Sequence, residues 1–253
     1  MPQLDLFLLG SPRIERQGMP VKVDTRKAIA LLAYLAVTGE KHSRDALATL
    51  LWPEYDQTRA RANLRRTLST LNKALPGDWL AADRETVGLV RADGFWLDVD
   101  EFHRRLATCA AHGHSTADVC PACIPPLARA VALYRGGFLA GFTLRDSPEF
   151  DNWQFFRADT LRRELADTLE KLVRGHSSQG EFEPAIDYAH RWLAIDPLHE
   201  PAHRHLMQLF AWAGQRNAAL RQYRECMRIL ENELGVPPLE ETTQLYEAIK
   251  EQR

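Results

Sequence analysis

Short apolar runs fill the first part of the chain, and longer helical patterns fill the rest. Glycine, serine and proline separate the short runs, which is typical of β-strands joined by turns. From about residue 100 onward, apolar residues recur with helical spacing. The pattern predicts strands over 4–9, 13–16 and 21–23, and helices over 100–111, 125–135, 147–178, 181–195, 200–213, 217–233 and 239–252.

Three further helices are predicted between the first strands and residue 76. The first is apolar around most of its circumference and ends at Gly39, a residue suited to the left-handed backbone at a helix end. Ser43 is a favourable N-cap for the second helix, and Pro53 ends it. The three helices are expected over 26–39, 44–52 and 58–75.

An Asp-Gly pair predicts a β-hairpin after the third helix. Asp93 and Gly94 lie between two strand-like runs, 86–91 and 95–99, and this dipeptide favours a tight hairpin turn. Strands, three helices and a hairpin, in this order, indicate a winged helix-turn-helix arrangement.

An internal repeat indicates the type of helical domain. Residues 180–186 match residues 214–220 at an offset of 34 residues, and a 34-residue helix-turn-helix period is the tetratricopeptide signature. We therefore expect a mainly α protein. A winged helix-turn-helix (α+β) domain would span residues 1–99, and an all-α, tetratricopeptide-like domain would span residues 100–253.

The charge of the chain is unevenly distributed. The 253 residues include 32 Lys and Arg against 34 Asp and Glu, which gives a net charge of −2. Between Lys22 and Lys73, however, ten basic residues are opposed by five acidic ones, so that this segment is +5 and the remainder is −7. One region of the protein therefore suits a polyanion.

Composition excludes several classes of protein. No apolar run approaches the ~20 residues that span a bilayer, and the start of the chain lacks the basic flank of a secretory signal. Four cysteines are too few for a disulfide framework in a chain of this length. We expect a soluble, cytoplasmic protein with no membrane partner.

The helix predicted over 58–75 carries much of the basic excess. Leucines recur along it at intervals of three and four residues and form one stripe, while arginines, Ser69, Asn72 and a lysine occupy the remaining surface. No acidic residue interrupts this helix, whereas surface helices usually alternate charges to gain ion pairs. Because Arg can bind guanine with two hydrogen bonds and Asn can bind adenine, the helix is a candidate for reading DNA. The alternative is an ordinary solvated basic face.

Seven motifs spread along the chain form a set. They are LFLLG (6–10), KAIALLAYL (27–35), LLWP (50–53), ANLRRTLS (62–69), FWLDVDEF (95–102), LYRGGFL (133–139) and Trp153. On these motifs the chain resembles, over essentially its whole length, the bacterial transcriptional activator domain proteins typified by Streptomyces antibiotic regulatory proteins. Members of that group join an OmpR/PhoB-type winged helix to a tetratricopeptide-like activator domain.

The resemblance implies a sequence-specific transcriptional regulator, and specifically an activator. The third helix would enter the major groove of promoter DNA and the hairpin after it would be the wing. The helical domain would contact RNA polymerase or a second copy in a homodimer. The expected DNA contacts are Arg61, Asn63, Arg65, Arg66, Thr70 and Lys73, with Arg26, Lys27 and Arg44 on phosphates and Arg84 or Arg91 on the wing.

A short segment rich in cysteine and histidine indicates a metal site. Three of the four cysteines fall within 15 positions, as Cys-x2-His-x-His followed by Cys-x2-Cys. This set offers four nitrogen and sulfur ligands to a structural zinc ion and leaves one histidine unused. The alternative is that the cysteines are reduced and lie in a polar loop without a metal. Between the two histidines, His112 is preferred to His114 as the fourth ligand. It follows Cys109 at the same spacing at which Cys123 follows Cys120. The candidate ligands are Cys109, His112, His114, Cys120 and Cys123.

A protein-binding adaptor and an enzyme are the two other classes of function. A tetratricopeptide adaptor that binds a protein would carry the same repeat without binding DNA specifically. An enzyme is not expected, because the sequence contains no nucleophile elbow, P-loop or dinucleotide fingerprint.

Overall fold

A computed structural model describes residues 3–91, 93–113 and 119–251 of the chain. It divides the chain into two compact units. Unit 1 comprises Met1–Arg104 and Ala132–Leu161, and unit 2 comprises Arg105–Val131 and Arg162–Arg253. The predicted domain limits, 1–99 and 100–253, stay a prediction. In the division into compact units, residues 132–161 belong with the N-terminal part of the chain.

The protein is mostly helical with small sheets in its N-terminal part, which confirms the predicted fold class. The strands are β1 (Leu4–Phe7), β2 (Arg13–Arg16), β3 (Met19–Pro20), β4 (His42–Ser43), β5 (Leu80–Ala82), β6 (Thr86–Leu89) and β7 (Phe95–Leu97). The helices are α1 (Arg26–Thr38), α2 (Arg44–Leu51), α3 (Gln57–Ala74), α4 (Asp98–Ala110), α5 (Ile124–Ala132), α6 (Pro148–Ser178), α7 (Phe182–Ile195), α8 (Glu200–Trp212), α9 (Arg216–Leu234) and α10 (Glu240–Glu251).

Two small sheets accompany the first three helices of unit 1. One has the strand order β3-β2-β1-β7, and the other has the order β4-β6-β5. The third strand lies earlier than predicted, because a turn at Gln17 and Gly18, both with positive φ, brings Met19 opposite Arg16.

The hairpin predicted between 86–91 and 95–99 is wrong. Strand β6 pairs antiparallel with β5, whereas β7 lies parallel to β1, with Leu4 opposite Phe95. The Asp-Gly signal was local, but β7 is held beside β1 by contacts between residues far apart in sequence. The hairpin that follows α3 is therefore β5–β6.

The limits of the first helices follow from their caps. The Ser43 side chain accepts a hydrogen bond from the Ala46 amide at 3.1 Å, which begins α2 as predicted. Gly39 ends α1 with a φ of 70°, in the left-handed region that glycine adopts without strain.

A buried carboxylate connects residues 132–161 to the N-terminal sheet within unit 1. Asp98, which is 0% exposed, accepts hydrogen bonds from the Leu8 amide at 2.8 Å, the Leu9 amide at 2.9 Å and the Arg135 guanidinium at 3.0 Å. Burial raises the pKa of the Asp98 carboxyl, although these hydrogen bonds act in the opposite direction. Phe138 then forms a β-bridge with Leu9, so that the segment extends the end of β1.

Unit 2 contains consecutive packed helices. Helix α7 packs against α8, α8 packs against α9, and α10 contacts both α8 and α9. Ala185 and Ala219, which the 34-residue offset aligns, are both fully buried, as a close approach of paired helices requires. The specific assignment of these helices to the tetratricopeptide class stays a prediction. Within the ranges that the structure describes, no helix combines the length and the apolar character needed to cross a membrane.

Candidate nucleic-acid interface and thiol cluster

Helix α3 buries leucines and exposes cations. The Asp56 side chain caps the helix by accepting from the Arg59 amide at 3.0 Å. Leu64 and Leu71 are fully buried, which confirms the predicted leucine stripe. The exposed residues on the other side of the helix are Arg65, Arg66, Ser69, Asn72 and Lys73.

A groove runs between α3 and the β5–β6 hairpin, and basic side chains line it. We call it the basic groove. Its lining includes Arg44, Arg61, Arg65, Ser69, Asn72, Lys73, Asp83 and Arg84, with Leu64, Leu68 and Ala82. Within the described part of the chain, no hydrogen bond or ion pair engages the Arg65, Lys73 or Arg84 side chain. Their charge is therefore available to an anionic ligand.

Arg61 differs from the other cations of the basic groove because it has a carboxylate partner. Its guanidinium donates two hydrogen bonds to Asp45, one of them 2.6 Å from Nη2 to Oδ2, and the Gln57 amide also donates to Asp45. The hydrogen bond from Arg61 lowers the pKa of the Asp45 carboxyl below its ordinary value. Sequence reasoning missed Asp45, which holds Arg61 at the edge of the groove.

The β5–β6 turn is built around Asp83. Its Oδ1 accepts hydrogen bonds from the amides of Glu85 at 2.8 Å and Thr86 at 2.7 Å, and its Oδ2 accepts from the Thr86 hydroxyl at 2.9 Å. These hydrogen bonds lower the pKa of the Asp83 carboxyl. Arg44 Nε donates to the Asp83 carbonyl at 2.8 Å, and Arg84 is exposed at the tip of the turn. Of the two arginines predicted for the wing, Arg84 lies in the turn of the β5–β6 hairpin.

Three of the predicted residues on α3 lie beside the groove rather than in its lining. The Arg66 guanidinium donates to Asn63 Oδ1 at 3.5 Å, a long contact, and the Thr70 hydroxyl donates to the Arg66 carbonyl at 3.1 Å. Arg66 is exposed, while Asn63 and Thr70 are half-buried. Of the three residues, Arg66 is the charged one, and its side chain is exposed to solvent.

Two predicted phosphate contacts have partners elsewhere in unit 1. The Arg26 guanidinium donates to the Thr143 carbonyl at 2.9 Å. The Lys27 ammonium, 15% exposed, donates to the Ser147 hydroxyl and forms an ion pair with Asp146 at 3.0 Å. Neither residue lines the basic groove, so both have an intramolecular role that the sequence did not indicate.

Arg91, the second wing candidate, is also occupied. Its guanidinium donates to the Ala36 carbonyl and pairs with Asp100 at 3.0 Å. It therefore ties α1 to the start of α4 within unit 1.

Three of the predicted metal ligands converge in unit 2. His112 Nδ1 lies 3.1 Å from Cys123 Sγ and 3.4 Å from Cys120 Sγ, and the two sulfur atoms are 3.5 Å apart. We call these three residues the Cys/His cluster. Cys109 Sγ lies 3.6 Å from the Cys123 carbonyl oxygen. His114, the remaining candidate, lies outside the described residues.

The two cysteines of the cluster differ in acidity. The hydrogen bond with His112 lowers the pKa of Cys120 to about 6, whereas burial raises the pKa of Cys123 to about 12. Cys226, which is buried on α9 away from the cluster, also has its pKa raised by burial to about 12. The environment at Cys120 therefore favours the thiolate, the form of cysteine that binds metals.

Three relatives have regulatory names. The transcriptional regulatory protein EmbR of Mycobacterium tuberculosis is 27% identical over 249 residues, which cover 93% of this chain and 60% of EmbR. The regulatory protein AfsR of Streptomyces coelicolor is 30% identical over 233 residues, covering 91% of this chain and 22% of AfsR. AfsR of Streptomyces griseus is 28% identical over 250 residues, covering 97% of this chain and 24% of that protein. The chain thus spans less than two thirds of the length of these relatives.

Structure and family comparisons agree with these matches. A solved structure of Mycobacterium tuberculosis EmbR in complex with a low-affinity phosphopeptide aligns with a TM-score of 0.77 at 25% identity, covering 100% of this chain and 66% of that one. The family model described as the bacterial transcriptional activator domain matches residues 97–250, more than half of the chain. The protein therefore belongs to the bacterial transcriptional activator domain family.

Proposed function

We propose that this protein is a sequence-specific transcriptional regulator, acting as an activator, that holds promoter DNA in the basic groove. The observation that carries the proposal is a set of exposed cations, Arg65, Lys73 and Arg84, that have no hydrogen bond or ion pair among the described residues. Two of them lie on α3, a helix that contains no acidic residue. Such a surface is disfavoured by self-repulsion in an isolated protein, and the phosphates of a duplex neutralise it.

The lining of the groove suits both kinds of DNA contact. Arg44 at the start of α2, Lys73 at the end of α3 and Arg84 on the hairpin are suited to phosphates, which fix the position of a protein on the duplex. Arg65 and Asn72 on the exposed side of α3 carry the hydrogen-bonding groups that distinguish base edges. Arg61, which lines the groove, is a further proposed contact, and Asn63, Arg66 and Thr70 are proposed flanking contacts.

The rest of the proposed mechanism is recruitment without a chemical step. In this proposal residues 1–99 hold the DNA, and residues 100–253 contact RNA polymerase or a second copy of the chain. The support is the family membership of residues 97–250 and the regulatory names of EmbR and AfsR. Transcription in vitro from a template with the selected DNA site tests it, and a protein that binds this site without raising transcript yield contradicts the activator role.

DNA binding is tested with the full chain and a duplex selected from random-sequence DNA. Fluorescence anisotropy at several salt concentrations should give a log affinity that falls with log salt by about 0.9 per neutralised phosphate. The Arg65→Ala variant should bind more weakly. The matched control is Arg228→Ala, because Arg228 is an exposed helical arginine of unit 2 that pairs with Glu225. If no duplex is selected, or if weak binding ignores salt, the tetratricopeptide adaptor becomes the better explanation.

We also propose that the Cys/His cluster binds a structural zinc ion. Its donors are one imidazole nitrogen and two sulfurs, which zinc prefers, and they lie within 4.8 Å of one another. The ion would stabilise the connection between α4 and α5 and would take no part in catalysis. Elemental analysis of the purified chain tests this proposal independently of DNA binding.

A further inference from the structure

We propose that Cys109 completes a closed zinc site with His112, Cys120 and Cys123, so that three thiolates and one imidazole surround the ion. The inference rests on the proposal that the Cys/His cluster binds zinc. It adds the identity of the fourth ligand and the part of the fold that the ion holds in place.

The distances between donors are close to those around a small tetrahedral ion. Zinc bonds of about 2.0–2.3 Å place the donors of a tetrahedron roughly 3.3–3.8 Å apart. The three separations in the Cys/His cluster are 3.1, 3.4 and 3.5 Å, and the two that involve Cys120 Sγ fall within this range. The two sulfurs are therefore at the spacing of metal ligands, and they are well beyond the ~2.05 Å of a disulfide bond.

Cys109 lies on the side of the cluster nearest Cys123. Its thiol is a hydrogen-bond partner of the Cys123 thiol, and its sulfur is 3.6 Å from the Cys123 carbonyl oxygen. Cys123 is 1% exposed and contacts each of the other three donors. In this proposal the Cys109 side chain turns its sulfur toward the ion that the other three donors hold.

Four protein ligands leave no open position on the ion. A site of this kind is structural, because water or substrate cannot bind the metal and be activated by it. Zinc binding would release thiol protons to solvent, and its free energy would add to the stability of the fold around it.

The surrounding structure indicates what the ion stabilises. Cys109 lies in the last turn of α4, whereas Cys120 and Cys123 precede α5 in a segment whose regular structure is one 3-10 turn, Pro121–Cys123. Next to this segment, Val119 and Ile124 approach Gly175 of α6 so closely that a Cβ atom at position 175 would lie 3.0 and 3.3 Å from their side chains. The ion would therefore fix residues 119–124 in their contact with α6, all within unit 2.

The test counts the metal and its thiolates in the full chain. Wild-type protein should hold about one zinc per chain by elemental mass spectrometry. After replacement by Co²⁺, the sulfur-to-cobalt charge-transfer band should have the intensity of three thiolates. Cys109→Ala should lower this intensity by one third and weaken zinc binding by about 100-fold or more, exceeding the 10- to 100-fold effect of losing an outer-shell partner.

Two variants serve as controls, and each outcome has one meaning. Cys226→Ala removes the one cysteine that is not a ligand in the proposed site, and His114→Ala removes the alternative fourth ligand; both should behave like wild type. If His114→Ala changes the cobalt spectrum and Cys109→Ala does not, the ligand assignment is wrong while the zinc proposal holds. If wild-type protein contains no zinc and takes up none, both are overturned, and the DNA-binding proposal is unaffected.

Where a cysteine variant fails to fold, wild-type protein treated with a chelator provides the second measurement. Metal removal should increase amide hydrogen exchange at residues 119–124 and in the adjoining turns of α6. Unchanged exchange there would contradict the stabilising role assigned to the ion.

Discussion

Helix α3 of unit 1 and the helices α9 and α10 of unit 2 differ in how their exposed cations are paired. In unit 2, Arg228 pairs with Glu225 at 2.6 Å and Lys250 pairs with Glu247 at 3.0 Å, each within a single helix. In unit 1, the 18 residues of α3 include four arginines and one lysine and no acid. Only Arg61 among these five has a carboxylate partner, Asp45, in the described residues.

We interpret this difference as one between cations that solvate the surface and cations that we propose to bind DNA. Exposed ion pairs contribute little to stability, so the pairs of unit 2 mainly keep its surface electrically mixed. Helix α3 contains no acidic residue and therefore has no ion pair within the helix. The leucines that it buries on its other side must stabilise it. A basic helix of this kind is consistent with a ligand that supplies the negative charge.

The largest expected effect concerns the leucines beneath the cations. Replacing Leu64, which is 0% exposed, by alanine should lower the free energy of unfolding by about 2–5 kcal/mol because it leaves a cavity. Urea denaturation followed by tryptophan fluorescence measures this. The control is Leu234→Ala in unit 2, where the side chain is 56% exposed and little change is expected. Equal losses in the two variants would mean that α3 is not anchored by this stripe.

The next effect concerns DNA affinity. Arg65→Ala combined with Arg66→Ala should weaken binding to the selected duplex by about 100-fold, because each arginine can contribute about 1–3 kcal/mol at a base. Circular dichroism should show unchanged helicity, since both side chains are exposed. The Arg228→Ala control should bind like wild type. A double variant with wild-type affinity would remove α3 from the interface.

A smaller effect is expected at the hairpin turn. Asp83→Ala removes three hydrogen bonds that shape the turn bearing Arg84 and should weaken DNA binding by about 5-fold, as loss of a few solvent-exposed hydrogen bonds does. Asp196 in unit 2 also accepts a local amide hydrogen bond, from Leu198 at 3.1 Å, and its alanine variant is the matched control. If both variants bind equally, the hairpin does not contribute.

The same turn has an expected pH dependence. Because hydrogen bonds lower the pKa of Asp83, its stabilisation of the turn is complete above the ordinary aspartate pKa and is lost as the pH falls through the lowered value. A carboxyl carbon NMR titration should therefore give a midpoint below 3.8 for Asp83. A midpoint at or above that value would contradict the turn geometry.

The smallest effect distinguishes two lysines. Lys73→Ala should reduce the salt dependence of DNA binding by about 0.9 in slope if Lys73 neutralises one phosphate. Lys250→Ala in unit 2, where the ammonium pairs with Glu247, should leave the slope unchanged. Anisotropy titrations at several salt concentrations measure both slopes, and identical slopes would contradict a phosphate contact at Lys73.

The sequence predicted those features that depend on local spacing. The leucine period gave the limits and the buried face of α3 to within one residue, and Ser43 and Gly39 marked helix ends correctly. The spacing of Cys120, Cys123 and His112 likewise predicted three donors that the fold brings together.

The features that the sequence did not predict depend on contacts between distant segments. The Asp-Gly signal could not reveal that β7 pairs with β1 instead of β6. The hydrogen-bond partners of Arg26 and Lys27, Thr143 and Ser147, lie 117 and 120 residues away in sequence. The sequence therefore contains no sign that these two basic residues have partners within the protein. The Asp45–Arg61 pair similarly requires α2 and α3 to pack together.

Arg44 joins the start of α2 to the hairpin tip in two ways. Its backbone amide donates to the Glu85 carbonyl at 2.8 Å, and its side chain donates to the Asp83 carbonyl at 2.8 Å. These hydrogen bonds hold the loop that carries Arg84 in one conformation without a ligand, so that the entropic cost of ordering it falls on folding instead of association. A ligand that contacts Arg84 would therefore bind more tightly than it would if the same arginine lay on a disordered loop, because no ordering of the loop is needed on binding.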